Sequence, residues 1–172
     1  IADRYLKGDP QLGYWRDSFV RIEGEAVWSI QTIFAADWYF TTKENLSDTA
    51  YYPLMSQSGT CTVQVLSSGP DSDWPAIAQF YFAAIAQAQK YVYLTSPYFM
   101  PTDEILTALK TAALRGVDVR VLVPGRSDSF IPRLSTESYI EEMLEANIRV
   151  YLYTNGFIHS KTLVVDDEIA SI

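Results

Sequence analysis

Apolar residues recur along this chain with two periods, and the changes from one period to the other divide it into elements. Residues 19–23 alternate as a short strand would, and beyond Gly24 the stretch 26–40 carries Val27, Ile30, Phe34 and Trp38 at helical spacing. Over 41–60 the periodicity gives way to Ser, Thr, Asn, Pro and Gly, which predicts a linker and a domain boundary near Gly59. Further on, strand and helix patterns alternate. They predict a strand over 62–66, a helix over 74–90, a strand over 91–95 and a Pro-bracketed loop over 97–101. A helix over 103–115 closing at Gly116, a strand over 118–123 and a helix over 136–146 follow, and strands over 149–153 and 161–165 come last.

Such alternation implies α/β layering. The strands over 91–95 and 119–123 read as apolar on both faces, which predicts central positions in a mixed, largely parallel sheet flanked by helices. Two domains are expected, 1–58 and 59–172. The opening Ile-Ala-Asp-Arg and the barely begun strand at the far end both read as cuts within a longer chain. No apolar run reaches the roughly 18 residues expected of a spanning helix.

Charge and residue scarcity narrow the chemistry. Thirteen Lys plus Arg against 21 Asp plus Glu give a formal charge of -8, the wrong sign for a broad nucleic-acid track. Any phosphate chemistry must therefore be local, and no nucleic-acid partner is expected. Cys61 is the one cysteine and His159 the one histidine, which excludes a disulfide framework and the paired-His zinc motifs. No Cys-rich metal site is possible either.

The stretch from Phe157 to Asp167 contains His159, Lys161 and Asp166 as H-x-K-x4-D. On extended backbone, residues two apart share a face, so the imidazole and the ammonium can enter one pocket while Ser160 points away. An imidazole can attack phosphorus or pass protons, and an ammonium beside it can hold the phosphoryl oxygens. Asp166, at the strand end, can orient Lys161 or a neighbouring donor through a charge-assisted bond. The alternative is an exposed polar pair followed by a solvated acidic turn.

This stretch resembles the second catalytic motif of the phospholipase D superfamily, and the approach Tyr153-Thr154-Asn155-Gly156-Phe157-Ile158-His159-Ser160-Lys161-Thr162 resembles the bacterial cardiolipin synthase type. Tyr14-Trp15-Arg16-Asp17, Arg21-Ile22-Glu23-Gly24, Asp37-Trp38, Ser68-Gly69-Pro70, Ser96-Pro97-Tyr98-Phe99 and Ala113-Leu114-Arg115-Gly116-Val117-Asp118-Val119 resemble segments of that family in its order. The resemblance implies a phospholipase D-like fold, with 1–58 as the end of a first such domain plus linker and 59–172 as a second. It implies a site built from two H-x-K-x4-D motifs, only the second of which is here, so the isolated chain is expected to be inactive.

By the same likeness one histidine becomes a phosphatidyl-histidine while the other protonates the departing alcohol, and which does which stays open. Asp17 would hold the imidazole of the first motif, a partner preceding Ile1; the alternative is a local cap or ion pair with Arg16 or Arg21. The resemblance implies the condensation of two phosphatidylglycerol molecules into cardiolipin and glycerol, with no metal and no cofactor expected. Its setting is the bacterial inner membrane, reached through parts outside this chain.

Tyr98 and Phe99, in the loop after a central strand, can line an acyl-chain or glycerol pocket or simply pack. Arg126 occupies the next such loop with Asp128 and Arg133, and can meet a lipid phosphate or remain an exposed charge. The aromatic stretches 27–40 and 80–82 fit a bilayer interface or a core equally well. Two further functions share these features: a phosphodiesterase or nuclease of the same superfamily, and a non-catalytic α/β module whose histidine is structural.

Overall fold

The computed structural model describes residues 3–56, 59–70 and 72–172, which form two compact units, Ile1–Phe19 with Ala78–Ile172 and Val20–Ile77. This division does not follow the linker expected near Gly59, because the first nineteen residues join the later part of the chain. The elements in chain order are α1 (Asp3–Lys7), β1 (Trp15–Arg16), α2 (Ala26–Thr42), a 3-10 turn (Thr49–Tyr51), α3 (Ala76–Gln87) and β2 (Tyr91–Thr95). They continue with α4 (Asp103–Leu114), β3 (Asp118–Pro124), α5 (Phe130–Glu145), β4 (Arg149–Tyr153), β5 (Phe157–Ile158), β6 (Thr162–Val165) and β7 (Ile169–Ser171).

The larger unit is built on a five-stranded mixed sheet of order β4-β3-β2-β6-β7, the fold class the alternation predicts. Strands β2, β3 and β4 run parallel, and β6 and β7 complete the sheet antiparallel. Register places Val92 beside Val119 and Val165, and Leu94 beside Val121 and Leu163, so one face is continuous aliphatic surface. Against it pack Ile85 of α3, Leu106, Leu109 and Ala112 of α4, and Met143 of α5, all buried. Helix α4 shows why: Leu106, Leu109 and Ala113 recur at i, i+3 and i+7, and Gly116 ends the helix with φ 96°.

The opposite sheet face differs from the expectation of a second apolar surface. Tyr91 and Tyr93 stack there with ring centroids 4.4 Å apart, Arg120 lies over Tyr93, and Asp118 pairs with Arg120 at 2.6 Å and Arg149 at 3.4 Å. Tyr and Arg have apolar bodies and polar tips, so an alternation that counts them as apolar overstates burial. Helix α5 starts six residues before the predicted point, at Phe130, because Pro132 falls in the first turn, where no backbone N–H is required.

The predicted strands over 19–23 and 62–66 are absent; neither segment finds a neighbour to pair with among the described residues, and a strand exists only as part of a ladder. In the unit Val20–Ile77, α2 closes at Lys43, whose φ of 63° lets its N–H reach the Tyr39 carbonyl at 2.9 Å. Trp28 Nε1 donates to the Pro53 carbonyl at 3.1 Å. The periodic residues Ile30, Phe34 and Trp38 stay exposed rather than forming a core.

Asp166 ties the sheet's antiparallel edge to the α3–β2 turn. It and Asp167 occupy the left-handed region, φ 56° and 63°, as the central residues of the tight β6–β7 turn. From there its carboxylate accepts the backbone N–H groups of Gln89 (2.6 Å), Lys90 (2.9 Å) and Tyr91 (2.7 Å). Partial burial pushes this carboxyl up, but the three N–H donors and Lys90 outweigh it, and it lies below the ordinary aspartate value of 3.8. A depressed carboxylate stabilises the fold above that ordinary value and ceases to do so as pH falls through the lowered one. Asp166→Ala should therefore cost about 2 kcal/mol at neutral pH, with a loss that shrinks below the ordinary value, measured by denaturant unfolding of both chains across pH.

Candidate active site

The site begins with a two-residue pairing. Strand β1 lies parallel to β5, Trp15 opposite Phe157 and Arg16 opposite Ile158, with Phe157 N–H donating to the Tyr14 carbonyl (2.9 Å) and His159 N–H to the Arg16 carbonyl (2.8 Å). Gly156, at φ 105°, makes that approach possible, since a Cβ on it would stand 2.1 Å from the Tyr14 oxygen. The residue after β1 is Asp17 and the residue after β5 is His159, so the pairing delivers the carboxylate to the ring. Asp17 Oδ2 is 3.0 Å from His159 Nδ1, with the two side chains 21% and 20% exposed.

This placement corrects the partner expected for Asp17. The expectation pointed to an imidazole preceding Ile1, whereas the carboxylate meets the imidazole of His159, a residue 142 positions further along the chain. Local strand pairing decides the matter.

Protonation follows from the partners. Partial burial pushes the Asp17 carboxyl up, but hydrogen bonds from His159 and the Ser18 N–H, with the charges of His159 and Lys161, bring it below the usual aspartate range. An ionised carboxylate only accepts, so in the neutral ring Nδ1 carries the proton and Nε2 the lone pair. Lys161 Nζ stands 2.9 Å from Nε2, 3.1 Å from Nδ1 and 2.7 Å from the His159 carbonyl oxygen, so it lies against the ring rather than on the line of one lone pair. Desolvation pulls the Lys161 ammonium below the ordinary lysine value, while Asp17 and Asp128 act in the opposite direction.

His159, Ser160 and Lys161 bridge β5 and β6 outside the regular ladder, and β6 begins at Thr162, one residue beyond the expected start. Ser160 turns away from the imidazole and amine into the interior, buried, where its hydroxyl donates to the Arg16 carbonyl (3.3 Å) and accepts from the Ser18 hydroxyl (3.0 Å). Around the imidazole stand four aromatic rings: Trp15 at 5.1 Å, Phe157 at 5.9 Å, Tyr5 at 6.0 Å and Tyr98 at 6.2 Å between centroids.

The other sequence candidates separate. Asp166 lies at the far end of β6 and spends its oxygens on the three backbone donors, so it does not orient Lys161. Tyr98 faces His159. Phe99 does not line a pocket; it is 3% exposed, packs edge-on to Tyr139, and its N–H donates to Thr136 Oγ1 at 3.2 Å. In the bend after β2, Tyr98 faces the site and Phe99 the core. Arg126 is exposed on the β3–α5 loop, and Arg133 pairs with Glu137 at 2.7 Å. An open cavity of about 170 Å³ lined by Pro97, Ser127, Arg133 and Ile140 includes none of Asp17, His159 or Lys161. Among the described residues no group of three or more His, Cys, Asp or Glu is placed to hold a metal ion.

Sequence reasoning missed Tyr5, Asp128 and the requirement at Gly156. Asn155-Gly156 was the available signal for the last, a turn pair just before the motif.

A family model described as "Cardiolipin synthase, PLD-like domain" matches residues 81–172. Two curated relatives called cardiolipin synthase, from Geobacillus thermodenitrificans and Alkalihalophilus pseudofirmus, are 48% and 47% identical to this chain over 174 aligned residues. Each alignment covers 100% of this chain and 35% of the relative, so the chain spans about a third of their length. A solved structure, the phospholipase D family member Nuc from Salmonella typhimurium, is similar at 24% identity and a TM-score of 0.43, covering 52% of this chain and 57% of that one.

Gly156→Ala should separate β1 from β5. The expected outcome is a loss of about 3 kcal/mol in stability, with Phe157 and His159 amide protection lost in hydrogen exchange while β2 and β3 amides change least.

Proposed function

This chain belongs to the cardiolipin synthase family with its PLD-like domain, and on that premise we propose that it is one portion of an enzyme joining two phosphatidylglycerol molecules into cardiolipin and glycerol. The observation that carries the proposal is the grouping of Asp17, His159 and Lys161: a carboxylate 3.0 Å from Nδ1 and an ammonium within 3.1 Å of both ring nitrogens. A structural histidine needs one partner. This one has a carboxylate on Nδ1 and a cation against the ring.

Two imidazoles share the reaction, one from each half of the complete site. The nitrogen of one attacks phosphorus of phosphatidylglycerol; an N–P bond forms as the P–O bond to the headgroup glycerol breaks, and the other imidazole supplies the proton that leaves with glycerol. The hydroxyl of a second phosphatidylglycerol then attacks phosphorus and gives its proton to the other imidazole, the N–P bond breaks, and cardiolipin departs. In either role of His159, Asp17 fixes the tautomer and offsets the charge the ring acquires, and Lys161 holds the phosphoryl oxygens. Tyr98 forms part of the wall beside the reacting group, and Arg126 lies on the loop from which a headgroup phosphate can be met.

The membrane setting belongs to this same proposal. No helix among the described residues is long and apolar enough to cross a membrane, and by the family's likeness the membrane is reached through other parts of the enzyme. Because the chain holds one histidine and the scheme uses two, the 172-residue chain alone should not turn over.

In the full-length enzyme assayed on phosphatidylglycerol vesicles, His159→Ala should lower kcat by roughly 1,000-fold or more, and Asp17→Ala by roughly 100-fold. A His159→Ala enzyme within a few-fold of the parent would reject the proposal. Preferential turnover of DNA by the parent would instead support the phosphodiesterase function.

A further inference from the structure

Asp128 lies on the loop between β3 and α5, at the carboxyl ends of the parallel strands, and its Oδ2 accepts a hydrogen bond from the Tyr98 hydroxyl at 2.9 Å. Tyr98 comes from the neighbouring loop after β2, and its ring meets the His159 imidazole at 6.2 Å between centroids and 76° between planes, an edge-on contact. The same ring stands 6.5 Å from Phe157. A phenol in this position has two χ angles to fix, and the hydroxyl bond to Asp128 is one of the contacts that fix them.

We propose that Asp128 is a positioning residue of the site, which through the Tyr98 hydroxyl holds the phenol ring edge-on against His159 and so keeps the imidazole in the rotamer that meets Asp17. This deepens the function proposed above and rests on it for its catalytic meaning. Asp128 also acts on Lys161 by charge, because it and Asp17 are the two carboxylates that counter the desolvation of that ammonium. The titratable groups turned toward the His159–Lys161 pair are Asp17 after β1, Asp128 on the β3–α5 loop, and the phenols of Tyr98 and of Tyr5 on α1. The two effects of Asp128 are separable: Tyr98→Phe removes the hydroxyl bond and leaves the charge, while Asp128→Asn removes the charge and weakens the bond.

The test uses nuclear magnetic resonance on the 172-residue chain, where the one histidine makes the imidazole signals unambiguous. Wild type should show cross-relaxation between the Tyr98 ring and the His159 ring. That contact should be lost in Tyr98→Phe and reduced in Asp128→Asn, and the double variant should lose no more than Tyr98→Phe alone. The Lys161 ammonium midpoint should fall in Asp128→Asn, stay at the wild-type value in Tyr98→Phe, and return in Asp128→Glu. Asp128 is exposed on a loop, so these variants should keep the wild-type amide spectrum elsewhere. An unchanged ring contact in Asp128→Asn, or additive losses in the double variant, would overturn the proposal. These signals need no turnover. Absence of phosphatidyl transfer by the full-length enzyme would defeat the function and leave the positioning result standing, and the reverse outcome would do the opposite.

Discussion

Two backbone hydrogen bonds, from Phe157 to the Tyr14 carbonyl and from His159 to the Arg16 carbonyl, govern the arrangement of the site. They bring together segments separated by 142 residues and, because the pairing is parallel and in register, place Asp17 beside His159. Such a short ladder has little stability of its own. It holds because Phe157 is fully buried, Trp15 packs edge-on to it at 4.7 Å, and Ser160 satisfies the Arg16 carbonyl from inside. Gly156 sets the condition under which the strands can approach at all.

From this contact the electrostatics follow. The carboxylate is anionic, so it accepts a hydrogen bond from Nδ1–H and leaves the lone pair on Nε2, with the ammonium against the ring. Each charge is partly desolvated, which strengthens the interaction between them and makes a lone charge costly. The loops at the carboxyl ends of β2 and β3 supply Tyr98 and Asp128 to the same place, the end of a parallel sheet at which α/β folds gather functional groups.

The sequence made the α/β layering legible because β2, β3 and α4 have strong, local patterns: alternating aliphatics, a helical Leu-Ala stripe and a closing glycine. His159 and Lys161 were legible for the same reason, since their sharing of one side depends only on two-residue periodicity. The strands expected over 19–23 and 62–66 failed because pairing is a property of neighbours, which a single segment does not encode. Asp166 was misplaced because proximity in sequence to Lys161 concealed a strand's length between them. The Asp17 pairing and the Asp128–Tyr98 bond were illegible, being tertiary contacts between loops distant in sequence.

The tautomer of the lone histidine tests the account most directly. Nitrogen-15 spectra of the imidazole at a pH where the ring is neutral should show the proton on Nδ1 and the lone pair on Nε2, the form an anionic Asp17 imposes. Spectra with the proton on Nε2, or an even mixture of the two forms, would contradict the claim that Asp17 orients His159 for phosphoryl chemistry.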